Sequence, residues 1–228
     1  MTPVKTDLAN VKVGEEISSI DGIVDGYKTY QVLRAGLELG LFEWLDEHGP
    51  SSREEIGNAL SINGMFTRSF LQTLAELGYL SGKNDRFGNT VNATRFLVRK
   101  SPSYQGDWIL NASQEHGQWD CLKDTLTSAA PKNTGFSDGP SPKFLRALAE
   151  RSLRGEVQEV TKILTGWDGF SSAKTLLDLG GGHGLYAIAA CQKNPGLHAV
   201  IFDKPHVIDL TREFIRHYGM EDRISVMA

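Results

Sequence analysis

The sequence predicts an α/β chain in which a helical N-terminal module carrying a β-wing precedes the first half of a doubly wound parallel sheet. Three observations lead there. A short apolar run, Thr175-Leu-Leu-Asp-Leu179, opens onto four glycines within five residues, Gly180, Gly181, Gly182 and Gly184, and then onto a run of small and branched residues ending at Ala190. A second apolar run, Ala199-Val-Ile-Phe202, ends on an acid, Asp203. The remaining 170 or so residues upstream are helical in period, with a single hairpin-like interruption.

The chain has 228 residues, 40% of them apolar, and a formal charge of −4. That suffices for one large or two small domains, and it supplies no general attraction for a nucleic-acid polyanion. The start, Met1-Thr-Pro-Val-Lys-Thr-Asp, has no apolar signal core, and no window approaches a membrane span, so a cytoplasmic protein without membrane contact is expected. Cys121 and Cys191 stand far apart, and two thiols with scattered histidines imply neither a disulfide nor a metal site.

Residues 1 to about 20 are weakly patterned and read as an arm or short helix. From Ile23 to Leu45 apolar residues recur at helical spacing, with Gly40 as a break, and they cover more than one face, which suits burial against a second chain or within the same domain. Ser51 or Ser52 caps the next helix, with Glu54 or Glu55 three residues on. Met65 to Leu77 carries the stripe Phe66, Phe70, Leu71, Leu74 and Leu77, closed by Gly78. A turn over Ser81–Gly88 is flanked by Tyr79-Leu80 and Thr90-Val-Asn92, completing a winged helix. The helix that would enter a DNA groove is mostly apolar, with Arg68 its only cation, although Lys83, Arg86, Arg95, Arg99 and Lys100 follow in the wing region. Dimerisation is the better use of this module, and a DNA-binding regulator the weaker alternative.

Between Ser101 and Leu164 one or two helices are expected around Tyr104 to Leu126, then a loop from Pro131 to Pro142, then helices over Phe144–Leu153 and Val157–Leu164. Trp108, His116 and Trp119 could line a pocket for a flat substrate or simply fill helix contacts. Beyond the glycines the alternation continues with a helix over Tyr186–Lys193, a strand over His198–Asp203, a helix over Val207–Tyr218 and a third strand from Arg223 to Met227.

The glycine turn fits a nucleotide site, because it allows positive φ and lets a ligand approach the backbone at the N-terminus of a helix. Counted from Gly182 and Gly184, the third position of a dinucleotide fingerprint is Ala187, which that pattern tolerates, so NAD stays open. The acid two residues before the first glycine, Asp178-x-Gly180-x-Gly182-x-Gly184, with Asp203 ending the next strand, favours S-adenosylmethionine (SAM) instead. An acid near the turn can order water and hold a cationic amino-acid end, and a carboxylate after the second strand can take both ribose hydroxyls.

Leu177-Asp-Leu-Gly-Gly-Gly-His-Gly184 and Val200-Ile-Phe-Asp-Lys-Pro-His-Val207, set behind a winged helix and a helical linker, resemble the SAM-dependent O-methyltransferases of the caffeate, acetylserotonin and polyketide type. The resemblance implies a dimerisation domain over 1–100, a linker and substrate-covering region over 101–171, and a class I, Rossmann-like SAM domain from 172 to 228. It further implies cofactor contacts at Asp178, Gly180, Gly182, Gly184 and Asp203, a homodimer held by the N-terminal helices, and a small aromatic metabolite carrying a hydroxyl as acceptor.

Members of that family continue past the third strand to an adenine-contacting segment and a histidine base. The SAM domain is therefore expected to be incomplete here: a truncated enzyme, half of a split one completed by a second polypeptide, or a non-catalytic scaffold. On that expectation the chain alone binds SAM weakly and does not turn over. No catalytic residue is placed, and neither His183 nor His206 is assigned the base.

Overall fold

A computed structural model describes residues 14–113, 119–127 and 140–228. The expectations placed on residues 1–13, on His116 and on the loop from 131 to 139 lie outside these residues. The chain forms two compact units, Met1–Thr94 and Arg95–Ala228.

In the first unit, α1 (Ile17–Glu38) begins six residues before the expected Ile23 and gives way at Gly40, whose φ of +68° turns the chain into α2 (Leu41–His48). After β1 (Ser51–Ser52), α3 (Arg53–Ala59) opens on the predicted capping box: the Ser52 hydroxyl accepts from the Glu55 amide while the Glu55 carboxylate accepts from the Ser52 amide. Asn63 caps α4 (Gly64–Glu76), a residue the sequence reading passed over.

The wing differs from expectation. β2 (Leu80–Lys83) and β3 (Arg86–Asn89) occupy most of what reads as turn, and the turn shrinks to Asn84 and Asp85, at φ of +52° and +57°. These are the residue types that tolerate the left-handed region a two-residue hairpin demands. β1 adds to β3, giving the antiparallel order β1-β3-β2. Val91 and Asn92 belong to a helix, α5 (Val91–Leu97), not to the wing. Leu41, Phe42, Leu45, Ile56, Leu71 and Leu74 make the core.

The second unit begins within α5 and continues through α6 (Gly106–Asn111), α7 (Leu122–Thr127), α8 (Pro142–Ser152) and α9 (Glu156–Thr165) into β4 (Thr175–Leu179), α10 (Leu185–Lys193), β5 (His198–Phe202), α11 (Pro205–His217) and β6 (Ile224–Met227). The three strands are parallel in the order β4-β5-β6, with Leu176 opposite Ala199 and Ala199 opposite Ile224. These residues face a core with Ala187, Ile188, Cys191, Leu197, Ile201 and Ile215.

β4 is not the fully buried strand its composition predicts: Leu177 is 59% exposed and Leu179 71%. In register with them, Phe202 and Met227 are exposed on the same side. Among the described residues, helices cover only the other face. No helix among the described residues is long and apolar enough to cross a membrane.

Candidate functional site

The site is built where β4 ends. Side chains alternate along a strand, so Asp178 points to the covered side of the sheet while its neighbours Leu177 and Leu179 point to the bare one. One carboxylate oxygen of Asp178 is buried with no hydrogen-bond partner among the described residues. Burial, and next the nearby charge of Asp203, hold this carboxyl above the usual carboxylate range. A buried acceptor in that condition is a place for a donor to arrive.

The ladder continues one residue past β4, with the Gly180 amide donating to the Phe202 carbonyl at 2.7 Å. Then the chain turns. Gly180, Gly182 and Gly184 have φ of +70°, +55° and +76°, so the three glycines named as cofactor contacts are those the turn requires. Space around Gly180 and Gly182 is open: a Cβ at Gly180 would meet nothing within 4 Å, and one at Gly182 only the Gly180 carbonyl at 4.0 Å.

Asp203 stands across the turn from Asp178. Its carboxylate accepts from the Gly182 amide at 2.8 Å and from the Lys204 amide at 2.7 Å, one at each oxygen. Each oxygen keeps a second lone pair. On the other side of the same residue, the Thr211 hydroxyl donates to the Gly182 carbonyl at 2.6 Å. The loop is thus pinned from strand β5's end and from α11, and all five predicted contact residues, Asp178, Gly180, Gly182, Gly184 and Asp203, line or shape one turn.

Sequence reasoning missed three contributors. Gly181 is needed for space, because a Cβ there would lie 2.7 Å from Ile201 and 2.8 Å from the Asp178 carboxyl. Thr211 is fully buried on the apolar side of α11, and a polar residue on an apolar stripe is the signal that could have found it. His183 is also buried, and its Nδ1 accepts the Leu185 amide, so that amide of α10 is not the free donor that the sequence suggests. His206 lies exposed on the first turn of α11.

Of the aromatic pair expected to line a substrate pocket, Trp119 is exposed and Trp108 lies under the guanidinium groups of Arg151 and Arg154, at 5.5 and 5.3 Å from its ring. The Trp108 amide donates to the buried Glu150 carboxyl at 2.8 Å. Burial pushes Glu150 up to about 8; a hydrogen bond with Asp107 and that residue's charge push the same way, against the Trp108 amide and Arg99.

The folded chain therefore keeps a proton that the unfolded chain releases above the ordinary range near 4.5. Stability from Glu150 is complete below that range and is lost as pH rises through about 8. His183 acts in the opposite sense but only below pH 6.5. From pH 6.5 to 8.5 urea unfolding of the wild type should lose about 1–2 kcal/mol, and Glu150→Gln, which keeps the shape and the acceptor, should remove that slope.

A family model described as an O-methyltransferase dimerisation domain matches residues 22–99, and one described as an O-methyltransferase domain matches 131–228. The N,N-dimethyltransferase OxyT of Streptomyces rimosus is 28% identical over 213 residues, covering 89% of this chain and 61% of its own length. Bovine acetylserotonin O-methyltransferase is 29% identical over 231 residues, covering 93% and 66%. A crystal structure of human N-acetylserotonin methyltransferase in complex with SAM superposes with a TM-score of 0.76 at 22% identity, covering 96% of this chain and 67% of that one. The chain spans between 56% and 61% of the length of the first curated relatives it matches. Over residues 22–99 and 131–228 the chain belongs to the O-methyltransferase family, with that family's dimerisation domain followed by its methyltransferase domain.

Proposed function

We propose that the protein is a SAM-dependent O-methyltransferase that methylates a hydroxyl of a small aromatic metabolite. The observation that carries this reading is the turn between Asp178 and Asp203: a backbone cradle open at Gly180 and Gly182, an unpartnered buried carboxylate oxygen on one side, and a carboxylate with spare lone pairs on the other. Asp203 has the capacity to accept two adjacent ribose hydroxyls without releasing the loop. Asp178 is placed to draw in a donor, whether an ammonium group or an ordered water, and the positive charge that SAM brings would lower the cost of ionising it. When bound, SAM supplies an electrophilic methyl group on a sulfonium. The chain's part is to fix the cofactor's position against an acceptor and exclude water.

The division into a dimerisation module over 1–100, a covering region over 101–171 and a SAM-binding region over 172–228 belongs to the same proposal, as does a homodimer formed through the N-terminal helices. Along α1, Ile20, Ile23, Val24 and Tyr27 are exposed at helical spacing, Ile23 by 76% and Tyr27 by 63%. An apolar stripe of this kind suits a second copy. Ile23→Asp should weaken self-association by more than about tenfold, read by light scattering across a dilution series.

Calorimetric titration with SAM, with NAD as competitor, tests the cofactor. Mass spectrometry of phenolic and amine acceptors incubated with the protein and SAM tests the acceptor. One cofactor per chain, undisturbed by NAD, and, for the protein isolated from its native source, a gain of one methyl on a phenol are expected. Saturable NAD binding with no heat from SAM would sink the reading.

A further inference from the structure

The loop histidine has no part in the proposed chemistry, yet it is held by more groups than any other side chain of the turn. His183 is 3% exposed. Its Nδ1 accepts the Leu185 amide at 3.2 Å, which leaves the ring hydrogen on Nε2, and Nε2 stands 3.3 Å from the Ser152 hydroxyl. Ser152, the last residue of α8, is 1% exposed and donates onward to the Glu156 carboxylate at 3.2 Å. The Tyr186 hydroxyl lies 3.3 Å from the same Ser152 oxygen and 3.4 Å from the same Glu156 oxygen.

Every hydrogen in the chain then runs one way, from the imidazole through Ser152 to Glu156. The ring packs against Tyr186 at 5.5 Å and, edge on, against Phe214 of α11 at 6.4 Å. Burial lowers the imidazole to about 4, against the pull of Glu156, so the ring is neutral wherever the protein works near neutrality.

We propose that His183 is a positioning residue for the cofactor loop, fixing the turn between Gly182 and Gly184 to the α8–α9 corner through Ser152 and Glu156. The role rests on the reading of this loop as the SAM site. Asp203 and Thr211 grip Gly182 from the end of β5 and from α11, but among the described residues neither hydrogen-bonds to α8 or α9. His183 supplies that third direction, and three non-collinear ties are what hold a loop against rocking. The ring is buried and its Nδ1 lone pair is taken by the Leu185 amide, so it presents no open acceptor to a ligand.

The test uses the full chain, S-adenosylhomocysteine (SAH) as probe, and nitrogen-15 imidazole spectra. In the wild type, His183 should show the Nε2–H tautomer and no titration from about pH 5.5 to 8. Ser152→Ala and His183→Asn should each weaken SAH by about tenfold, the scale of one ordinary hydrogen bond. Asn places its amide oxygen near the Nδ1 position and keeps the Leu185 bond, whereas Gln reaches toward Ser152 and gives up Leu185. Ser152→Ala should therefore cost nothing more in the His183→Asn background and its full factor in the His183→Gln background.

Unchanged SAH affinity in Ser152→Ala, or an Nδ1–H tautomer in the wild type, overturns the positioning role while leaving the cofactor reading standing. Absence of SAH binding by the wild type overturns the cofactor reading, and this role with it. The tautomer is read on the unmutated protein, so a variant that fails to fold does not shield the proposal.

Discussion

Asp203→Ala is expected to weaken SAM by about a hundredfold, the largest single effect on binding in the chain. The carboxylate does two things at once: it tethers the Gly182 amide at 2.8 Å and offers the lone pairs that would meet the ribose hydroxyls. Two hydrogen bonds to a charged acceptor account for about 3 kcal/mol, which is that hundredfold. Loss of the tether also frees the loop, so the variant should show faster amide exchange at Gly182 even without ligand. Asp203→Asn keeps one oxygen and should fall between the two. Calorimetry with SAH on the three proteins measures the series; equal affinities would remove Asp203 from the site.

Gly184→Ala should destabilise the second unit by about 3 kcal/mol, by summing two separate costs. One is the left-handed backbone at φ +76°, which an L side chain adopts at a penalty. The other is steric, since the new methyl would lie 2.8 Å from Ile201 Cδ1 and 3.2 Å from Thr211 Cγ2, both on fully buried residues. Gly180→Ala isolates the first cost, because its φ is +70° and its Cβ would point into open space; about half the loss is expected there. Urea midpoints for the pair decide the matter, and equal losses would remove the steric part of the argument.

The sequence made the turn legible because glycine reports backbone freedom by residue type alone. Gly180, Gly182 and Gly184 declare themselves in that way, and so does Gly40. Gly181 does not, because its need comes from side chains that the fold crowds against it, the Asp178 carboxyl and Ile201 of the next strand. The same limit hid the anchoring of His183, whose partner Ser152, and the Glu156 to which Ser152 donates, come from the preceding helices.

Strand β4 misled for a different reason. Its apolar residues state that both faces avoid water, while the described residues provide cover for one. In the wing, Ser81-Gly-Lys and Arg-Phe-Gly88 look like turn by composition, yet cross-strand pairing made strands of them, as pairing overrides weak local preference. The capping box at Ser52 was readable because its donors and acceptors are three residues apart, and nothing distant competes for them.

Ile201 touches both of the crowded glycines, but with different atoms: Cγ2 faces Gly181 and Cδ1 faces Gly184. Shortening it to valine deletes Cδ1 and leaves Cγ2 in place. Ile201→Val is therefore a selective suppressor, relieving the Ile201 contact of Gly184→Ala while the Thr211 contact stays, and relieving nothing in Gly181→Ala. The floor of the turn is a gauge block, and whoever wishes to resize the turn must begin with the strand beneath it.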